Sequence, residues 1–325
     1  MRVLVTGSSG HLGEALMRVL PDQGHEAVGL DLVPSPYTQV VGSVADRPLV
    51  RRALEGVEAV LHTATLHKPH VGSHDRSAFV ETNVQGTLTL LEEAVAASVS
   101  RFVFTSTTST FGRALTPGRG APAAWIDESV APVPRNVYGA TKTAAEDLCA
   151  LLARDEGLPC VVLRTSRFFP EGDDRADVRQ AYSTENAQVN ELLYRRVDLE
   201  DVVSAHLLAL DRAPALGFGR YVVSAPTPFS RDDLAELRTD APAVVRRLFP
   251  AHEELYATRG WAMFPSVDRV YDSSAAQAAL GWRPRYDFRH ALDRLAVGEP
   301  VRSALAEQVG AKGYHPVSTG PYTVR

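Results

Sequence analysis

Over its first half the chain alternates short β-branched apolar runs with longer stretches whose apolar residues recur three and four positions apart. Val3-Leu4-Val5, Ala27-Val28-Gly29-Leu30, Gln39-Val40-Val41, Ala59-Val60-Leu61, Phe102-Val103-Phe104 and Val161-Val162-Leu163 read as strands. Leu12, Ala15, Leu16, Val19 and Leu20 trace the apolar face of a first helix, and longer helical segments run from Ser77 to Ala97 and from Tyr138 to Glu156. This alternation predicts βαβ units, hence an α/β fold built on a Rossmann-type doubly wound parallel sheet. After Arg164 the pattern turns irregular, with a charged loop from Pro170 to Asp177. An amphipathic helix over Val197 to Leu210 and a strand at Tyr221-Val222-Val223 follow. The pattern divides the chain into a core at 1–165 and a region at 166–325 that forms a small mixed cap and returns elements at about 197–224 to the core sheet.

Composition narrows the class. At 325 residues, 45% hydrophobic and 22% charged, the chain buries a sizeable core, which excludes a disordered or fibrous protein. The net charge of −5 offers no cationic surface for nucleic acid or an anionic membrane, so small molecules are the expected partners. Cys149 and Cys160 make no disulfide framework, and the opening Met1-Arg2-Val3-Leu4-Val5-Thr6 is a strand pattern and not a signal peptide. No stretch reaches the ~20 apolar residues of a membrane span. A cytoplasmic location is the expectation.

Between the first strand and first helix stands Thr6-Gly7-Ser8-Ser9-Gly10-His11-Leu12-Gly13. Glycines here permit a tight turn and let backbone N–H groups, including those of His11 and Leu12 at the helix start, approach a pyrophosphate. Asp31 ends the next strand, where its carboxylate accepts ribose hydroxyls and repels a 2′-phosphate; Leu32 and Val33 follow in place of an arginine. NAD is therefore the expected cofactor, bound by the 1–165 core.

Tyr138-Gly139-Ala140-Thr141-Lys142 opens a helix, so Tyr138 and Lys142 share one face. A free phenol with a pKa of about 10 is a poor base; a neighbouring ammonium and a positive nicotinamide lower it. Thr105-Ser106-Thr107-Thr108-Ser109 places hydroxyls beyond the carboxyl end of a strand, where doubly wound sheets bind ligands. Together these residues resemble the extended short-chain dehydrogenase/reductases, in the NAD-dependent epimerase/dehydratase branch. Asn83 in Thr82-Asn83-Val84-Gln85-Gly86-Thr87 and the Leu280-Gly281-Trp282-Arg283-Pro284 segment extend the likeness over roughly residues 1 to 290.

The resemblance implies roles. Tyr138 is the general base or acid, Lys142 holds the nicotinamide ribose and tunes the tyrosine, and Thr107 occupies the usual serine position, with Ser106 the alternative one residue away. Cofactor contacts fall to Gly7, Gly10, His11, Leu12, Gly13, Asp31, Ser43, Val44, Thr63, Ala64, Asn83, Thr105, Tyr138 and Lys142. Ser43 stands where many relatives carry an acid against adenine, which shifts that work to Val44 and the backbone. Thr107, Thr108, His67 and Arg167 are the substrate candidates, Arg167 as a cleft-facing fork for an anionic group. It stands where nucleotide-sugar enzymes carry asparagine, which weakens a nucleotide-sugar reading. His67, His70 and His74 have metal-like spacing, but Pro69 and Gly72 indicate a loop without a fixed face, and no metal is expected.

The leading function is NAD-dependent hydride transfer at a secondary alcohol or ketone of a sugar-like substrate. Epimerisation of a sugar or nucleotide sugar is the alternative, and a non-catalytic dinucleotide-sensing protein is the alternative of another class. Homodimerisation through the Ser77 to Ala97 and Tyr138 to Glu156 helices follows from the resemblance. The Gly310 to Arg325 segment lies beyond it and reads as a tail.

Overall fold

The computed structural model describes residues 1–312. In chain order, β1 (Arg2–Thr6), α1 (His11–Val19), β2 (Glu26–Asp31), β3 (Val40–Val41), α2 (Arg47–Ala53), β4 (Ala59–His62), α3 (Arg76–Phe79), α4 (Gly86–Ala96) and β5 (Arg101–Thr107) come first. They are followed by β6 (Ala124–Ile126), α5 (Val137–Asp155), β7 (Cys160–Thr165), α6 (Ala176–Ala181), α7 (Thr184–Leu192), α8 (Leu199–Leu216) and β8 (Phe218–Val223). The rest comprises α9 (Leu234–Leu237), α10 (Ala241–Leu248), α11 (His252–Ala257), β9 (Arg269–Tyr271), α12 (Ser274–Leu280), α13 (Phe288–Ala296) and α14 (Ala304–Val309). Most of the Gly310 to Arg325 segment lies outside the described residues.

Contacts divide the chain into two compact units, one of residues 1–112, 134–165 and 202–221, the other of 113–133, 166–201 and 222–325. The first carries the parallel sheet, in the order β3-β2-β1-β4-β5-β7-β8. Strands are built outward from β1 in one direction and then, from β4, in the other. Such a reversal leaves a crevice at the carboxyl ends of β1 and β4, the ligand position of doubly wound sheets. Val3, Leu4, Val5, Val60, Phe102, Phe104 and Val162 are fully buried, as strands covered on both faces require.

The expected helical segment from Ser77 to Ala97 is present but interrupted within. Between α3 and α4 the chain makes a π-turn at Val80–Gln85. One residue too many per turn rotates Asn83 inward, where it is 1% exposed.

In the second unit β6 and β9 form a parallel pair, Trp125 opposite Val270, which the sequence reading did not anticipate. A core of Tyr194, Leu237, Val245, Phe249, Phe264 and Phe288 packs beneath α7, α10 and α13. Trp282 is 1% exposed and donates its indole N–H to Asp201 O at 3.1 Å, while Asp201 accepts the Arg285 and Tyr286 amides at 2.9 Å each. These contacts explain the Leu280-Gly281-Trp282-Arg283-Pro284 pattern as a structural anchor. Among the described residues no helix is long and apolar enough to cross a membrane.

The first unit also holds a buried ion pair. Glu146 on α5 accepts from Arg164 Nη2 at 2.6 Å and from Nε at 3.1 Å, and from Ser106 Oγ. Both charged side chains are nearly inaccessible, and Arg164 stacks 4.9 Å from the Phe111 ring centre. Breaking a buried pair strands a charge, so Arg164→Leu is expected to lower unfolding free energy by ~3–5 kcal/mol. Arg154→Ala, which removes an exposed pair with Asp155, should cost ~1 kcal/mol or less. Urea denaturation of the two variants provides the comparison.

Candidate active site

The glycine-rich turn is built by close approach. Gly7 has φ +73°, and a Cβ there would lie 2.7 Å from Ala64 N. A Cβ on Gly13 would lie 1.9 Å from Gly7 O. The turn therefore closes only with glycine at both places. Gly10 caps α1 without a side-chain hydrogen bond, so the first-turn amides of His11, Leu12 and Gly13 are not claimed by a capping side chain. Asp31 accepts Ser9 N–H and Val33 N–H, both at 2.9 Å, one on each oxygen. A carboxylate has about four lone-pair sites, so each oxygen keeps room for a ribose hydroxyl while the two amides hold its orientation.

Ser43 Oγ accepts from Ala45 N at 3.1 Å and so orders the turn beside Val44. Thr63 Oγ1 donates to Thr6 O at 2.7 Å, and Ala64 N donates to Thr6 Oγ1 at 3.3 Å. The loop after β4 is thereby tied to the end of β1. The residues fit a dinucleotide: a cradle that any Cβ would fill, a helix start that no side chain caps, and a fixed acceptor pair for ribose.

Helix α5 starts at an Asn136 cap, whose side chain accepts Gly139 N–H at 3.0 Å. A Cβ on Gly139 would fall 2.9 Å from Ser109 O, so this glycine lets the helix press against the segment that follows β5. Tyr138 is brought near enough to Thr107 for the threonine hydroxyl to influence the phenol, and Thr107 Oγ1 accepts Ser109 N–H at 3.1 Å. Ser106 points elsewhere, into the Glu146–Arg164 pair. Thr108 is buried beside Thr107. Lys142 Nζ donates to Thr105 O at 2.6 Å and lies 3.9 Å from the Phe104 ring centre.

Burial pushes the Tyr138 phenol up to about 12, and the neighbouring Thr107 hydroxyl pulls it back in part. Burial likewise pushes the Lys142 ammonium down to about 7, against the opposing pull of Glu146 and Cys149.

The Asn83 side chain is engaged by protein groups. Its Oδ1 accepts Leu66 N–H at 2.8 Å and Thr65 Oγ1–H at 3.0 Å, and its Nδ2 donates to Leu66 O at 2.8 Å and Thr141 Oγ1 at 3.1 Å. That is the full capacity of an amide. Asn83 clamps the loop after β4 to α5 at Thr141, the residue before Lys142.

His67, His70 and His74 also differ from the free loop expected. Residues Lys68–Gly72 form a short 3₁₀ turn, His67 N donates to His70 Nδ1 at 3.0 Å, and the rings pack edge to face at 4.6 and 5.0 Å. His67 is buried in that stack. Among the described residues no cluster of His, Cys, Asp or Glu is arranged to hold a metal.

Arg167, in the second unit, is not the open fork expected. Its Nη2 donates to Gly172 O at 2.6 Å, and its Nη1 lies 3.5 Å from Asp173 and 3.6 Å from Asp174. Arg195 joins Asp173 and Glu191 at 2.6 Å each, and Arg196 bonds Glu191 at 2.8 Å. The guanidinium is engaged by protein oxygens, and the case for an anionic substrate loses its carrier.

Two buried histidines escaped the sequence reading. His62 pairs with Thr6 across β4 and β1, its Nδ1 2.7 Å from Thr6 Oγ1 and its Nε2 3.0 Å from Thr87 Oγ1. Thr87 Oγ1 donates to Asn83 O at 2.7 Å, so it accepts from Nε2–H, and Nδ1 accepts from Thr6. His206 on α8 has Nδ1 2.8 Å from Val202 O and Nε2 2.7 Å from Thr105 Oγ1. A polar residue closing an otherwise apolar strand was the available signal for His62; His206, inside an amphipathic helix, gave none.

Residues 3–223 match the family described as the NAD dependent epimerase/dehydratase family. The chain belongs to that family. Among curated proteins it is similar to a 2-alkyl-3-oxoalkanoate reductase of Stenotrophomonas maltophilia, 34% identical over 56% of this chain and 55% of the relative. It is also similar to a UDP-glucose 4-epimerase of Rhizobium meliloti, 32% identical over 50% of each. The match thus spans about half the length of these curated relatives. A solved short-chain dehydrogenase/reductase superfamily protein of Agrobacterium tumefaciens, with NAD bound, superposes with a TM-score of 0.66 at 26% identity, covering 91% of this chain and 96% of that one. NAD is the family's cofactor, and the glycine turn and Asp31 suit it.

Two expectations follow. Calorimetric titration should show NADP binding at least roughly tenfold more weakly than NAD, since Asp31 is held where a 2′-phosphate would meet it; equal affinities would remove Asp31 from that role. Burial holds His62 down at about 3 and His206 at about 4. Unfolded, both protonate below about 6.5, so each withdraws stability as pH falls from there toward its folded value. His206→Gln should therefore lower proton uptake on unfolding by about one near pH 5, measured as a flatter pH dependence of urea unfolding free energy than wild type.

Proposed function

We propose that this protein is an NAD-dependent oxidoreductase that interconverts a secondary alcohol and a ketone on an uncharged, sugar-like substrate. The observation that carries the reading is the placing of Tyr138 beside Thr107, whose hydroxyl lowers the phenol, with Lys142 one helical turn along, anchored on Thr105 O. In the oxidative direction Tyr138 Oη takes the alcohol proton, and Thr107 Oγ1 orients the same substrate oxygen. In the reductive direction Tyr138 returns that proton to the new hydroxyl. When bound, NAD supplies the acceptor for hydride and a positive charge that favours the phenolate. In this reading Lys142, when charged, adds a second positive charge on the same helix face, which favours the phenolate. The glycine turn and Asp31 hold the two ends of the dinucleotide's adenosine diphosphate half.

A reductase and an epimerase among the similar proteins support an alcohol–ketone step, which both reactions contain. The engaged Arg167 favours a substrate without a diphosphate and so favours net oxidation or reduction over nucleotide-sugar epimerisation. A homodimer in the cytoplasm remains part of this reading, resting on family resemblance and composition.

The test is a panel of neutral sugars, sugar acids, nucleotide sugars and β-oxo acids, followed both for NADH and for epimer formation. Tyr138→Phe should lower turnover on the active substrate by at least ~10²-fold while NAD affinity stays within about threefold, because only the proton-transferring hydroxyl is lost. Turnover near wild type in that variant would refute the assignment.

A further inference from the structure

The two sides of β5 meet at Thr105. Successive strand residues face opposite sides: Phe102 and Phe104 pack in the cluster that holds Ala145 and Cys149 of α5, whereas Thr105 turns its hydroxyl to His206 of α8. Its carbonyl accepts the Lys142 ammonium at 2.6 Å. Val202 O, which only accepts, fixes the Nδ1–H tautomer of His206 at 2.8 Å, leaving Nε2 as the acceptor for the Thr105 hydroxyl at 2.7 Å. The chain Val202–His206–Thr105–Lys142 thus runs from one helix through the sheet to the other, with the donor and acceptor of each bond determined.

We propose that His206 is a positioning residue for the reaction: by holding the Thr105 side chain from α8 it fixes the carbonyl on which Lys142 Nζ rests, and so sets the ammonium against Tyr138. His206 touches no reacting atom. The proposal rests on the reading of Tyr138 and Lys142 given above. Neutrality of His206 is part of the device, because burial holds it uncharged well below neutral pH and its Nε2 lone pair stays available to Thr105. The other titratable groups facing Lys142 are Tyr138, Glu146 and Cys149 on α5 and the neutral His62 on β4.

The chain has three lysines, Lys68, Lys142 and Lys312, so ε-¹³C-lysine labelling gives a spectrum that Lys68→Arg and Lys312→Arg assign completely. In the full chain without cofactor or substrate, the Lys142 signal is expected to titrate at about 7. Thr105→Val, which removes the hydroxyl and keeps the shape, should lower that midpoint by about half a pH unit or more, since a carbonyl free to drift stabilises the ammonium less. Thr105→Ser should restore the wild-type midpoint, and His206→Leu should reproduce the Thr105→Val shift. Melting temperatures taken alongside report any general loss of packing, which by lessening the burial of Lys142 would raise its midpoint, opposite to the expected shift. A folded Thr105→Val protein with an unchanged Lys142 midpoint would overturn the proposal. Because no turnover is measured, that result would leave the catalytic reading of Tyr138 standing, whereas an active Tyr138→Phe variant would sink that reading alone.

Discussion

Three consecutive residues at the carboxyl end of β5 fasten the fold to its chemistry. Thr105 offers its carbonyl to Lys142 and its hydroxyl to His206, Ser106 donates into the Glu146–Arg164 pair, and Thr107 meets Tyr138. Tyr138, Lys142 and Glu146 follow one another at four-residue intervals on α5, so one helical face is matched rung by rung to one strand end. A slip of one residue in either element would exchange Thr107 for Ser106 and set the buried arginine against the wrong partner. The ion pair beneath the site therefore acts as a register pin, a role buried charges fill better than apolar side chains of equal volume.

The same logic governs Asn83. An amide inside a sheet–helix interface is costly unless each of its bonding positions is used. Here all four are, and the partners are the backbone of Leu66, the Thr65 hydroxyl and Thr141 on α5. The π-turn that aims Asn83 inward gives up regular helical bonding over Val80–Gln85. The return is a fixed distance between the loop after β4 and the helix bearing Tyr138 and Lys142.

What could be read from the sequence follows how local each signal is. The glycine turn, Asp31 and the Tyr138/Lys142 pair are short-range patterns whose geometry is set by the elements carrying them, and the parallel sheet follows from apolar runs. Choosing between Ser106 and Thr107 needed the partner helix, because alternation says that they face opposite ways but not which face holds the tyrosine. A π-turn leaves no mark in a three-and-four spacing, so Asn83 was picked out only through the family resemblance, and its clamping bonds to Leu66 and Thr141 were not legible. Strands β6 and β9 are three residues each and far apart in sequence, and only their pairing makes them strands. Arg167 depended on Asp173 and Asp174 folding back toward it, a loop conformation that no periodicity encodes.

Burial itself works against the proposed chemistry, raising the phenol and depressing the ammonium, so the protein has to limit further cost at the same place. Two imidazoles flank the lysine's surroundings, and either one protonated would place a like charge near it. Both are instead held neutral, His62 between two threonine hydroxyls and His206 between a carbonyl and Thr105. Each ring spends one nitrogen as donor and one as acceptor, which satisfies a buried polar group without importing charge. Lysine in either position would add the competing cation, and an aliphatic residue would leave the Thr6 or Thr105 hydroxyl without its acceptor. A neutral histidine meets both demands, which accounts for two of them being spent in the interior, one closing β4 and one on α8.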